Sequence, residues 1–221
     1  MNPRLNTFII IVLNIFVLLL CILLWDTATI GSCLKALDME ISILTNKTLG
    51  DNYWTYFWGI LNKEFENYLN QVLILSVITY YYIKSDQKIS IILRTIVIYL
   101  YCALGVFTLN QLVVDRESPS LVINSFVNIS EVLHDSTIKF ASYKSFPSGH
   151  AFAMICWAIF ATKVFTKGIS RPIWIIAIFF CLPRLMSGAH WMSDIIGAGL
   201  IANIYVHIIC MIHGAYRYKI I

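Results

Sequence analysis

The sequence predicts an all-α fold, a polytopic membrane bundle of about six transmembrane helices with its functional residues gathered at one outward face. Three observations carry this reading. Of the 221 residues 59% are hydrophobic and only 13% charged, with a mean hydropathy of +0.76, far from the quarter charged that is usual in a soluble domain. The apolar residues fall into runs of roughly 20, each long enough to cross a hydrocarbon core of about 30 Å. Eight of the sixteen lysines and arginines, at the ends of those runs and at the termini, sort to one side, as a topology signal does.

Taken in order, residues 8–25 are apolar except for Asn14 and carry no small-residue cleavage site, so a retained anchor is expected rather than a signal peptide. Residues 26–69 are polar and aromatic. Tyr53, Trp54, Tyr56, Phe57 and Trp58 cluster there as an interfacial belt does, and a short helix on the membrane surface is expected. Residues 71–83 with those just before make a second crossing and residues 90–114 a third. Arg94 is placed to snorkel back to the 84–88 loop between them. Residues 115–146 form a polar connection containing Pro119 and a weakly amphipathic piece, 127–140, which fits either the bilayer surface or a cap over a site. Residues 148–165, 172–186 and 195–213 supply the last three crossings. With no repeat or low-complexity tract, residues 1–221 read as a single membrane domain.

Six crossings place both termini on one side, together with Arg4, Lys84, Lys88, Lys163, Lys167, Arg171, Arg217 and Lys219. That side is expected to be cytoplasmic. The net charge of +4 is then mostly a topology signal, and a nucleic-acid partner is not implied. Every Asp and Glu except Asp86 lies outward or at the outer interface, as do Arg116, Lys144, His150, Arg184, His190 and Asp194. Of the six cysteines only Cys33 falls outside an apolar run, and their spacing suggests neither a metal site nor a disulfide framework.

The chemistry centres on residues 183–194, Pro-Arg-Leu-Met-Ser-Gly-Ala-His-Trp-Met-Ser-Asp. Ionisable groups at the mouth of apolar segments are costly unless they have partners and a task. His190 and Asp194 are four apart, so on a helix they share a face, and the carboxylate is expected to accept from one imidazole nitrogen. The other nitrogen is left as a nucleophile. Alone, the stretch equally fits an Arg184–Asp194 ion pair at a helix end with His190 as interfacial filler. Residues 145–150, Ser-Phe-Pro-Ser-Gly-His, open a crossing, and a helix start of this kind offers unpaired amides and a positive dipole end to an anion. Gly149 permits close approach to the backbone and Ser148 adds a hydroxyl. By themselves these are also an ordinary capped helix, and His150 a wetted interfacial residue.

Arg116 follows the third crossing and supplies a second guanidinium beside Arg184, suited to the planar donor pairs that phosphate accepts. On its own it is also an ordinary solvated loop residue. No His, Cys, Asp and Glu cluster resembles a metal cage, so a metal-independent, cofactor-free mechanism is expected. His190 attacks phosphorus to give a phosphohistidine, His150 protonates the departing oxygen, and a second acceptor is then activated by His150.

This combination resembles the three-part signature of the type 2 phosphatidic acid phosphatases and vanadium haloperoxidases: Arg116, then Ser145 to His150, then Arg184 with His190 and Asp194 following. The resemblance implies a six-helix membrane bundle, with His190 as nucleophile and His150 as general acid and base. It also implies a phosphate shell of Arg116, Ser148, Gly149 and Arg184. The chain departs from the pattern in three places. Leu109 stands where the family has a lysine, Arg116-Glu-Ser-Pro119 replaces Arg-Pro, and Pro183 replaces a serine. Lys144, Asn110 and Gln111 are the candidates to stand in for the lysine. The same departures resemble the inner-membrane lipid A phosphotransferases, and this closer likeness covers the catalytic portion, residues 109–196.

The resemblance implies a bacterial inner-membrane enzyme with its site on the periplasmic side. Its expected reaction carries phosphate from undecaprenyl diphosphate to lipid A, giving lipid A 1-diphosphate. A phosphatase acting on undecaprenyl diphosphate or another lipid phosphate uses the same residues, with water as acceptor. A non-catalytic lipid-binding protein is a further alternative, favoured by Leu109 and opposed by the presence of both His150 and His190.

Overall fold

The structure is a computed structural model and describes residues 3–26, 30–49, 53–62, 65–110, 114–135 and 142–212. Among these residues all regular structure is helical. Six long helices run back and forth as a bundle: α1 (Pro3–Asp26), α4 (Phe65–Lys84), α5 (Lys88–Leu109), α8 (Gly149–Val164), α9 (Lys167–Met186) and α10 (Met192–Ile212). Four others, α2 (Ile30–Asn46), α3 (Tyr53–Ile60), α6 (Pro119–Val122) and α7 (Ile129–Val132), lie between them. By length and hydropathy α5, α9 and α10 suffice to cross a bilayer, and Asn6–Leu19 and Gly149–Val164 are shorter apolar helices.

At the centre of the bundle, α8 packs on α9, α10 and α5. Its buried residues, Ala151, Phe152, Met154, Cys156, Trp157, Ala158, Ile159, Phe160 and Ala161, cover its whole circumference, which is how a helix enclosed by others reads. Fully buried Ala151, Ala158, Ala161, Ala177, Ala198 and Ala202 let neighbouring backbones approach closely, the packing device of helices in lipid. Outward faces are apolar too. Leu93, Val97 and Leu100 on α5 and Ile175 and Ile178 on α9 are exposed, as a surface meeting hydrocarbon should be.

Several expected elements are corrected. The polar stretch after α1 is more than a connection with a short surface helix: it contains the 17-residue α2, packed on α1, α9 and α10. This helix is amphipathic in reverse. Asp38, Ser42 and Asn46, four apart, are buried, whereas Leu37, Ile43 and Leu44 are exposed. The short aromatic helix is α3, with Tyr53, Trp54, Tyr56 and Phe57 exposed and Thr55 and Trp58 buried. The third crossing ends at Leu109 instead of 114, because the backbone of Val114 and Arg116 pairs with that of residues 143–146.

The fifth crossing begins at Lys167, not 172, and carries Pro172 and Pro183 inside it. In the described part of the 127–140 piece, residues 127–135, the helix is α7; residues 136–140 lie outside the described residues, as do Gln111 and the side chain of Cys33. Arg94 reaches across to α8, donating from Nη1 to the Val164 carbonyl at 2.7 Å, where a helix end leaves its last carbonyls without partners. Cys102, Cys156, Cys181 and Cys210 are buried and take part in no disulfide.

Candidate active site

Three chain segments distant in sequence are joined at one end of the bundle. The backbone of residues 114–118 runs beside that of residues 142–146. Val114 N donates to Phe146 O, Arg116 N to Tyr143 O, Ser118 N to Ser142 O and Ser145 N to Arg116 O, each at 2.9 Å. Ser148 N then donates to the backbone oxygen of Asp194 at 3.3 Å, fixing the start of α8 on the start of α10. The Phe146 ring sits against Gly197, where a Cβ would come within 2.5 Å of it. Gly197 therefore sets how closely this loop approaches α10.

Ser148 is the N-cap of α8, its Oγ accepting from Ala151 N at 3.4 Å as short hydroxyl side chains do at helix starts. Gly149 follows as the first helical residue, and a Cβ built on it would meet nothing within 4 Å. The opening there is a cavity of about 320 Å³ whose walls include Gly149 and His150 from α8, Arg184 from α9, and Asn70 and Gln71 from α4. A helix N-terminus, an arginine and an imidazole thus face one space.

The turn from α9 to α10 places Arg184 and His190. Gly188 has φ +71° and packs on Phe126, and both Ala189 N and His190 N fold back on the Arg184 carbonyl, at 3.1 and 3.2 Å. A left-handed glycine just past the last turn is a common way for a helix to stop. Two asparagines from the amino-terminal half hold the same turn. Asn46 donates to the Met186 and Val127 carbonyls at 3.3 and 3.1 Å, and Asn62 donates to the Pro183 carbonyl at 2.9 Å.

His190 is bound differently from the sequence-based expectation. Its Nδ1 is 2.8 Å from the backbone oxygen of Ser145 and 3.7 Å from the Asp194 carboxylate. A carbonyl oxygen only accepts, so Nδ1 carries the proton and Nε2 the lone pair. Asp194 does not hold the imidazole by a hydrogen bond. It is fully buried, accepts from Trp191 N at 2.8 Å, and pairs with the guanidinium of Arg116.

Arg116 likewise departs from expectation. Its guanidinium is largely buried and lies between two carboxylates, Asp194 and Asp38, the latter at 2.9 Å, with Ser193 Oγ also at 2.9 Å. The Trp191 ring lies 5.4 Å from it, and the Trp191 indole nitrogen donates to the Glu117 carbonyl at 2.7 Å. Asp38 also accepts from Ser193 N at 3.0 Å and from its hydroxyl. Arg184 faces the cavity, and Arg116 is not among its walls. Lys144 is exposed, with its ammonium 3.8 Å from Asp115.

Gly149, His150 and Arg184 thus share the cavity, while Arg116, His190 and Asp194 form a partly buried network linked to it through the 145–149 backbone. Among the described residues no group of three His, Cys, Asp or Glu gathers in metal-binding geometry. Asp38, Asn46 and Asn62 were not anticipated. The four-residue spacing of Asp38, Ser42 and Asn46 is the signal that marks a polar helix face.

Comparison with known proteins adds two findings. A family model described as PAP2 superfamily matches residues 95–218. Over 108 residues the chain is 37% identical to the lipid A 1-diphosphate synthase of Escherichia coli (strain K12), covering 47% of this chain and 45% of that protein. The chain therefore spans just under half the length of that relative. No solved structure matches.

Proposed function

This chain is an enzyme of the PAP2 superfamily, and from that premise we propose that it transfers phosphoryl groups between membrane lipid phosphates through a phosphohistidine on His190. The observation that carries the proposal is the hydrogen bond from His190 Nδ1 to the Ser145 carbonyl. It leaves Nε2 as an in-plane lone pair, the form a nucleophile needs. Nε2 attacks phosphorus and the bond to the leaving oxygen breaks, with His150 delivering the proton to that oxygen. Arg184, the amide end of α8 at Gly149 and the Ser148 hydroxyl receive the phosphoryl oxygens, where preorganised donors lower the barrier most. As the imidazole becomes cationic the Asp194 carboxylate, 3.7 Å away, stabilises it. In the second half-reaction His150 takes a proton from the acceptor, whose oxygen displaces His190 from phosphorus.

Arg116 has a supporting place in this scheme. With carboxylates on both sides it pairs with Asp194 and ties α2 to α10, while Arg184 supplies the guanidinium that meets phosphate. Lys144, Asn110 and Gln111 stay the candidates to stand in for the missing family lysine.

For substrates we propose undecaprenyl diphosphate as donor and lipid A as acceptor, in a bacterial inner membrane with termini cytoplasmic and the site periplasmic. The name of the 37% identical relative, the likeness of residues 109–196 to the lipid A phosphotransferases, and the sorting of basic residues support this reading. The test is to incubate purified protein with undecaprenyl diphosphate labelled at its terminal phosphate, with and without lipid A. Label on lipid A is expected; release of inorganic phosphate alone, unchanged by lipid A, assigns a phosphatase instead.

A further inference from the structure

At the end of the bundle away from His190, the end of α4 meets the starts of α5 and α9 around a cavity of about 390 Å³. Two cations line it, Lys84 from the last turn of α4 and Arg94 from α5, together with Asp86 from the loop between those helices. Twelve residues of α5, a rise of about 18 Å, separate Arg94 from Val106 in the wall of the His150 cavity. The two spaces are distinct.

Arg94 lies six residues inside α5 and is partly buried, where an ionisable side chain is costly unless it has partners. Its Nη1 donates to the Val164 carbonyl at 2.7 Å. Lys84 Nζ donates to the Tyr80 hydroxyl at 2.6 Å and lies 4.4 Å from the centre of that ring. Among the described residues neither cation makes an ion pair, so with Asp86 counted the cavity keeps an excess of positive charge. Neutral donors share its walls. Thr166 and Gln87 are the N-caps of α9 and α5, and neither spends its side chain on a capping hydrogen bond. Tyr81 packs down on Gly168, where a Cβ would stand 2.8 Å from the phenol oxygen.

A guanidinium, an ammonium and hydroxyl donors around one space suit a phosphate, to which arginine offers donors in pairs. The surroundings say which phosphate. Ile91, Phe165 and Ile169 line the cavity beside these groups, and Ile89, Ile92 and Leu93, neighbours of Ile91 and Arg94 on α5, are exposed, as a surface meeting hydrocarbon should be. A lipid whose headgroup reached Arg94 would lay its chains on that surface.

We propose that this cavity binds the phosphate headgroup of an anionic phospholipid from the leaflet opposite the His150 cavity, held between Arg94 and Lys84, and that the bound lipid ties together the ends of α4, α5 and α9. Basic pockets between membrane helices take anionic headgroups in this way. The proposal requires nothing of the chemistry at His190.

The test is a binding titration of the full chain in a neutral detergent, with fluorescent phosphatidylglycerol, with phosphatidylcholine of the same chains, and with inorganic phosphate as competitor. Wild type is compared with Lys84→Gln, Arg94→Lys, Gln87→Glu and Lys47→Gln, the last removing an exposed lysine at the other end of the bundle. Gln87 is exposed and caps α5 without its side chain, so Gln87→Glu adds a carboxylate at the cavity while leaving the fold alone. Wild type should bind phosphatidylglycerol saturably and in preference to phosphatidylcholine, and millimolar phosphate should not displace it. Lys84→Gln and Gln87→Glu should each weaken phosphatidylglycerol binding by about fivefold, the scale of one basic residue at an anionic lipid, and Lys47→Gln should leave it unchanged. Arg94→Lys keeps the charge and loses the paired donors, and should weaken binding too. The thermal midpoint should rise with phosphatidylglycerol in the wild type, as it does when a ligand binds the folded state, and rise less in Gln87→Glu.

Equal binding of the two phospholipids overturns the proposal. So does phosphatidylglycerol binding that survives both Lys84→Gln and Gln87→Glu, or that falls as far in Lys47→Gln as in those two. Displacement by millimolar phosphate assigns the cavity to a soluble phosphate and overturns the lipid. Because Arg94 also holds the end of α8, Lys84→Gln and Gln87→Glu decide the question even where Arg94→Lys is too unstable to purify.

Discussion

His190 gives its Nδ1 proton to the carbonyl oxygen of Ser145, 2.8 Å away, so a backbone group from the second sequence motif sets the tautomer of the histidine in the third. Asp194, 3.7 Å from the same nitrogen, acts by charge. The two roles are separable by substitution. Asp194→Asn should lower turnover by about 10²-fold, in the range of a lost electrostatic stabiliser, with the His190 tautomer intact. A loss of 10⁴-fold or more, the scale at which a carboxylate sets the tautomer, would mean the carboxylate orients the ring in the working enzyme. Steady-state kinetics with a lipid phosphate in detergent distinguish them.

Asp38 is the second partner of Arg116, and both are buried. Removing one member of such a pair leaves an uncompensated charge, at a cost of about 3–5 kcal/mol. Asp38→Ala and Arg116→Ala should each lower the thermal midpoint markedly, and the double substitution should cost much less than their sum, since residues in one network couple. Strict additivity would place them in independent interactions.

Much of the site is legible in the sequence, because Arg184, His190 and Asp194 lie on one turn and helix start, and Ser148, Gly149 and His150 are contiguous. Short-range spacing carries that information. Two decisive contacts are not legible in this way. The acceptor for His190 is a main-chain oxygen, which leaves no trace in residue type. The partner of Arg116 lies 78 residues earlier, in a stretch whose lysine and acidic residues read as a solvated connection. The reversed amphipathicity of α2, apolar toward the surroundings and polar toward Arg116, is intelligible only once the surroundings are hydrocarbon. Similarly, 172–186 loses its first turn in a sequence reading because Pro172 reads as a helix start, whereas α9 carries it in its interior.

Gly149 separates folding from phosphate binding. A Cβ there meets open space, so Gly149→Ala should leave the thermal midpoint unchanged. It should nevertheless obstruct the approach of a phosphoryl oxygen to the start of α8, lowering kcat/KM by about 10- to 100-fold, the size of a weakened oxyanion donor. Unaltered kinetics would put the phosphate elsewhere.

Positive charge at the site comes from Arg184 and the helix start, so activity should persist in excess EDTA. Vanadate, which adopts the five-coordinate geometry of phosphoryl transfer, should inhibit competitively. Activity lost on chelation and restored by magnesium or zinc would contradict the mechanism.

The central claim is the covalent intermediate, and rapid quench tests it most directly. Enzyme mixed with lipid diphosphate labelled at the terminal phosphate is denatured within milliseconds, and protein-bound label is assayed for acid lability and alkali stability. The account predicts label with that signature on the wild type and none on His190→Ala, with His150→Ala still labelled when the leaving group is an activated aryl phosphate that needs little protonation. Label on His190→Ala at the wild-type level would place the nucleophile on another residue and contradict the account.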